Sequence, residues 1–106
     1  MAQLNGSEIL AKALKREGVD ELFFLMGGPM LAAESASIKE GIRCIDVRHE
    51  QAAAMMAQAY SRLQQRPGVC MAASGPATIN LSTGLANALI DCCPVVALGG
   101  ASPILG

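Results

Sequence analysis

The chain alternates between stretches of helical and strand-like apolar spacing. Ile9, Leu10, Ala13 and Leu14 recur at three- and four-residue intervals behind the polar segment Asn5-Gly6-Ser7-Glu8, which is the stripe of an amphipathic helix. Asn5 is the expected cap, with Glu8 reaching back in a capping box, and Gly18 the expected terminator. Leu22-Phe23-Phe24-Leu25-Met26 is a short unbroken apolar run. Strands of a parallel sheet covered on both faces have this pattern. Gly27-Gly28-Pro29 breaks the run. Met30 to Glu40 then reads as a helix ending at Gly41, and Ile42 to Val47 as a second strand. Glu50 to Gln64 reads as a second long helix, and Pro67-Gly68 as a turn before a third strand, Val69 to Ala73. After the tight loop Ser74-Gly75-Pro76, Thr78 to Asp91 reads as one helix with Leu81, Leu85 and Leu89 on one face. Val95 to Leu98 is a fourth strand closed by Gly99-Gly100.

Helices and strands therefore alternate with short connections. This order predicts an α/β fold with a parallel sheet and right-handed crossovers. On such sheets ligands bind beyond the carboxyl ends of the strands. Gly27-Gly28-Pro29, Arg48-His49-Glu50 and Ser74-Gly75-Pro76 each follow a different strand, so the three are expected to converge on one site. The chain stops soon after the fourth strand, and Pro103-Ile104-Leu105-Gly106 is not a polar tail. We therefore expect an incomplete domain.

Composition adds a reason to look for a partner. Apolar residues make up 52% of the 106 positions and charged ones 16%, against roughly 45–50% and 25% in ordinary soluble domains. So little charge leaves apolar surface to be covered by another subunit or by further sequence. The net charge of −1 and the near absence of aromatics argue against nucleic acid. The four cysteines form no C-x-x-C or other metal spacing, and free thiols in a reducing cytoplasm are expected. Met1 leads into a polar segment with no signal-peptide pattern. Pro67 to Ile90 lacks charge and is long enough to cross a bilayer, but its glycines, prolines and polar residues predict strand, turn and helix rather than a membrane span.

The residue of most chemical interest is Glu50. It heads a helix that continues as Gln51-Ala52-Ala53-Ala54-Met55-Met56-Ala57, so its surroundings look apolar. The ordinary role of an acid there is to complement the helix dipole. A buried one can also exchange a proton with a partner inside a pocket. His49, the one histidine, reads as a neighbour of Glu50 and not as a nucleophile's base. Ser74-Gly75-Pro76-Ala77-Thr78-Ile79-Asn80 leads into a helix whose backbone amides could meet an anion, although it is neither G-x-G-x-x-G nor a P-loop. Asp91, near a helix end, is electrostatically awkward and is expected to pair with Arg or Lys or to sit at a subunit contact.

Four segments in order carry a resemblance: Arg48-His49-Glu50-Gln51-Ala52-Ala53-Ala54-Met55-Met56-Ala57, Gly68-Val69-Cys70, Ser74 through Leu85, and Asp91-Cys92-Cys93-Pro94-Val95-Val96-Ala97-Leu98. Together they resemble the pyrimidine-binding domain of thiamine-diphosphate enzymes of the acetolactate synthase and pyruvate oxidase group. The resemblance spans nearly the whole chain and implies a flavodoxin-like three-layer αβα fold over residues 1–106. It implies that Glu50 is catalytic, hydrogen-bonding the aminopyrimidine ring so that the cofactor's thiazolium carbon loses its proton and attacks a 2-oxo acid or acyl-CoA. It further implies Pro29, Glu50, Pro76 and Asn80 as cofactor contacts. The family's Gly-x-Pro-Gly loop here ends in Met30, its Ser-Gly-Pro-Gly loop has Ala77, and Gly100-Ala101 stands where many members have glutamine.

The family's diphosphate-binding domain, with Gly-Asp-Gly and a downstream Asn that hold Mg²⁺, is absent from the sequence. The resemblance therefore implies half a site, completed by that domain of the same or another subunit in a homodimer or homotetramer. No metal ligand set is expected in this chain, and FAD is carried by some relatives. An acetolactate synthase-like enzyme is the leading reading. An oxalyl-CoA decarboxylase-like lyase, a non-catalytic interaction module and a flavodoxin-like nucleotide binder are alternatives.

Overall fold

The computed structural model describes residues 3–102, so the apolar ending at Pro103–Gly106 lies outside it. Helix α1 runs Gly6–Arg16, β1 Glu21–Phe24, α2 Leu31–Lys39 and β2 Arg43–Asp46. Helix α3 runs Glu50–Gln64, β3 Gly68–Ala72, α4 Pro76–Ile79, α5 Ser82–Ile90 and β4 Val95–Gly99. Asn5 caps α1 as its sequence suggests, its side chain accepting from the Glu8 amide at 2.8 Å.

Two expected helices are interrupted. The helix expected from Met30 opens instead with a 3₁₀ turn at Gly28–Met30, and α2 begins at Leu31. Pro29 starts the tight turn, where its missing amide donor does no harm. The helix expected over 78–91 is two pieces, α4 and α5. Proline again starts the first piece early, at Pro76. The Thr78 hydroxyl then donates to the Ala73 carbonyl at 2.5 Å, which ties α4 back to the end of β3.

All strand pairs are parallel, in the order β2-β1-β3-β4. Glu21 pairs with Arg43, Phe23 with Cys70 and Gly68 with Val95, and the ladders run on in step from there. From β1 the chain moves outward to β2, whereas from β3 it moves outward to β4. The order reverses between β1 and β3, which makes that gap the topological switch point where ligands collect in open α/β sheets.

The pleat sorts side chains into two cores. Leu22, Phe24, Val69 and Met71 join Ile42, Ala33 and Met30 beneath α1 and α2. Phe23, Cys70 and Ala72 join Ala53, Ala54, Ala57 and Leu81 beneath α3 and α5. Residues one apart on a strand thus face opposite layers, which completes the three-layer αβα arrangement. Ala53, Ala54 and Ala57 are fully buried. Their small side chains bring α3 close to the sheet and place its N-terminus at the switch point.

Apolar surface remains, as the composition anticipates: Leu89 and Ile90 on α5 are each 79% exposed. No helix among the described residues is long and apolar enough to cross a membrane. The uncharged stretch from Pro67 becomes β3, α4 and α5.

Candidate functional site

The site is built where β2 hands the chain to α3. Val47, at the end of that hand-over, is buried in the core, and Arg48 swings out to an exposed ion pair with Asp46 at 3.0 Å. His49 adopts extended backbone and caps α3, its Nδ1 accepting from the Gln51 amide at 3.0 Å. A capping histidine was not foreseen from sequence, where Ser, Thr, Asp and Asn dominate this position. With His49 used as the cap, Glu50 is the first helical residue. Its side chain is only 8% exposed.

Glu50 is not isolated. Asn80 donates its side-chain amide to Glu50 Oε1 at 3.0 Å. The other oxygen, Oε2, has no hydrogen-bond donor among the described residues, yet it is not sealed off from the surface. Glu50 thus presents one held oxygen and one open acceptor, at the positive end of a four-turn helix. An N–H or a protonated ring nitrogen of a ligand would complete it.

The segment after β3 reaches this carboxylate through Asn80, and the two Gly-Pro loops meet each other. Gly27, after β1, lies against Ala73, after β3. The amide of Gly100, after β4, donates to Ala72 O at 3.0 Å. The expected convergence of the strand ends therefore occurs, and the end of β4 joins it. Pro29 and Pro76 are exposed, each near the start of a short helical turn. Glu50 and Asn80 come into direct contact, whereas Pro29 and Pro76 only shape the neighbouring loops. Gly75 takes φ +60 and ψ −121, while Ala77 is not among the residues with positive φ. The alanine that replaces a family glycine is therefore unstrained, because the demanding position is the one that kept glycine.

The helix after β3 is a single turn of four residues, in which Pro76 has no amide hydrogen and the Ala77 amide is given to Ser74 O at 3.4 Å. Among the described residues Asp91 forms no ion pair with Arg or Lys. It accepts from Gln58 Nε2 at 2.9 Å, and Gln58 Oε1 accepts in turn from Asn87 at 2.8 Å. Gln58 is buried, and its place between Ala54 and Ser61 on the inward stripe of α3 was the sequence signal for this bridge.

Hollows lie elsewhere: between α5 and β4 around Leu85, Leu89 and Val95, between α1 and α2 around Lys12, Ala36 and Glu40, and at the opposite ends of the strands around Leu14, Tyr60 and Val96. Glu50 lines none of these three. No group of three potential metal ligands occurs among the described residues, and the four cysteines are free.

Fold and site define an α/β ligand-binding domain with a buried acid at the switch point of a parallel sheet. The chain belongs to the family described as thiamine pyrophosphate enzyme, N-terminal TPP binding domain, whose model matches residues 4–105. It is 42% identical over 105 residues to the large subunit of acetolactate synthase isozyme 2 of Escherichia coli, covering 97% of this chain and 19% of that protein. It is 40% identical over 100 residues to human 2-hydroxyacyl-CoA lyase 1, covering 94% and 17% respectively. It is 43% identical over 99 residues to chloroplastic acetolactate synthase 2 of Nicotiana tabacum, covering 92% and 15%. The chain thus spans under a fifth of the length of these relatives. Membership implies thiamine diphosphate as the cofactor of the family domain.

Proposed function

We propose that this chain supplies the aminopyrimidine half-site of a thiamine-diphosphate enzyme that decarboxylates a 2-oxo acid and transfers or releases the resulting acyl or aldehyde unit, as an acetolactate synthase does. The observation that carries the reading is Glu50, buried at the head of α3 with Oε1 held by Asn80 and Oε2 open. That arrangement fits the aminopyrimidine, whose ring nitrogen needs one carboxyl partner in a site shielded from water. Glu50 is the catalytic residue, holding or releasing a proton at Oε2. Pro29 and Pro76 shape the walls on either side, and Asn80 lies beside the ring's carboxyl partner. Thiamine diphosphate, when bound, supplies a nucleophilic ring carbon and an electron sink for the substrate.

The diphosphate and Mg²⁺ are held by a second domain, of the same or another subunit, in a homodimer or homotetramer. The uncovered apolar residues of α5 support such a partner. The free cysteines and the absence of a membrane-crossing helix among the described residues are compatible with a cytoplasmic enzyme.

A second reading is a lyase acting on an acyl-CoA, favoured by the identity to human 2-hydroxyacyl-CoA lyase 1. Assaying 2-oxo acids against 2-hydroxyacyl- and oxalyl-CoA separates the two. The class itself is tested by Glu50→Gln in the complete enzyme. Turnover should fall about 100-fold or more, in keeping with the loss of a positioned proton-transfer group. Undiminished turnover would leave the chain as a non-catalytic interaction module.

A further inference from the structure

We propose that Asn80 is a positioning residue for Glu50, and that it decides which carboxyl oxygen exchanges the proton. The inference rests on the half-site reading above. The Asn80 amide donates to Oε1 at 3.0 Å, so that oxygen is committed as an acceptor. A proton placed on Oε1 would meet the amide hydrogens head-on. The proton therefore sits on Oε2, the oxygen without a donor among the described residues. The other polar neighbours are occupied: His49 Nδ1 caps α3 and Arg48 pairs with Asp46.

The fold aims Asn80 with two anchors. On one side Thr78 ties α4 to Ala73 O at the end of β3. On the other, Leu81 is fully buried against Ala53 and Ala54 of α3, the helix that Glu50 heads. Asn80 lies between them, its own amide bonded to Pro76 O at 2.9 Å. Between α4 and α5 the backbone stays right-handed at Asn80 (φ −64, ψ −15) and Leu81 (φ −73, ψ −21) and tightens, the Leu81 amide bonding to Thr78 O at 3.1 Å. Asparagine suits the task because its amide donates at every pH. An aspartate there would face Glu50 with a like charge.

The test has two arms. In the first, the side-chain amide resonances of Asn80 in the complete enzyme are compared by NMR with those of Glu50→Gln at one pH, and they should move when the carboxylate that accepts from Asn80 is replaced. In the complete enzyme, thiamine-diphosphate binding is measured for Glu50→Gln, Asn80→Ser and the double variant. Asn80→Ser should weaken binding several-fold, and the double variant should bind no more weakly than Glu50→Gln alone. An Asn80 amide unmoved by Glu50→Gln, or losses that add in full, would overturn the proposal. Should Glu50→Gln leave both cofactor binding and turnover intact, the half-site reading fails instead, while the Asn80 resonances still report the pair.

Discussion

Gly27 and Ala73 meet so closely that a Cβ on Gly27 would lie 2.3 Å from the Cβ of Ala73. This contact locks the loop after β1 to the loop after β3, on the two strands that bound the switch point. Gly27→Ala should therefore destabilise the domain by about 1–3 kcal/mol through overpacking. In a domain of this size each kcal/mol lowers the melting temperature by roughly 4–8 °C. Gly28→Ala is the control, since nothing lies within 4 Å of a Cβ there. Equal melting temperatures for the two variants would refute the close contact.

Gly75 carries the strained backbone of the second loop, at φ +60. With ψ at −121 this lies outside the left-handed helical region, and an L-residue in so sparsely populated a conformation costs about 1–3 kcal/mol. Gly75→Ala should lose that much in urea unfolding and should weaken cofactor binding as well, because α4 and Asn80 follow directly. Ala77→Gly should not strengthen binding, since residue 77 needs no unusual φ. A gain in affinity from Ala77→Gly would count against this account of the loop.

The elements with a strong local signal were legible. Asn5 caps the Glu8 amide as expected, although the Glu8 carboxylate accepts no return hydrogen bond from the Asn5 amide among the described residues, and α3 spans the expected 50–64. What the sequence hid is tertiary. Leu81, Leu85 and Leu89 suggest a single helical face, but only Leu81 is fully buried, while Leu89 faces out. The helix is interrupted at residues 80 and 81, where the Leu81 amide bonds to Thr78 O at 3.1 Å, and spacing alone does not reveal the interruption. Strand order is likewise set by packing. Glu50 and Asn80 were both named from sequence, but as two separate cofactor contacts, and a hydrogen bond across 30 positions leaves no local trace.

The Gln58 bridge joins α3 to α5 through one buried amide. Removing it in Gln58→Ala breaks both bonds and should cost about 1–3 kcal/mol. Asp91 closes α5, where a negative charge opposes the helix dipole. Asp91→Asn keeps an acceptor for Gln58 and should be neutral or stabilising by about 0.3–1 kcal/mol. Chemical denaturation of the two variants checks this. A loss on Asp91→Asn as large as that on Gln58→Ala would show that the charge itself holds the bridge.

Thiol reactivity should be ordered by burial. Cys70 is fully buried, and desolvation pushes its thiol up to about 11. Cys44 is also raised, first by desolvation and then by Glu34. The thiolate is the reactive form, so at about pH 8 the exposed Cys92 should react first with a disulfide reagent. Cys70 should react only on unfolding. Mass mapping of the labelled cysteines reads the order, and early labelling of Cys70 would contradict the core assignment.

Glu34 is a carboxyl whose charge the fold disfavours. On α2, its Oε2 is buried without a partner. Desolvation, and then the nearby Asp46, raise its pKa above the ordinary 4.5. A carboxyl whose folded value exceeds its unfolded one adds stability below the unfolded value. That stability is lost as pH rises through the folded value. At neutral pH the native state therefore carries an ionised Glu34 at a cost. Glu34→Gln removes the charge with little change of shape, so it should melt higher than the parent at pH 7. The difference should shrink as pH falls toward about 4, where Glu34 is itself protonated. Thermal unfolding of both proteins across this range decides it. A variant that melts below the parent at pH 7, or a gap that does not close on acidification, would mean that the Glu34 carboxylate has a favourable partner in the native state.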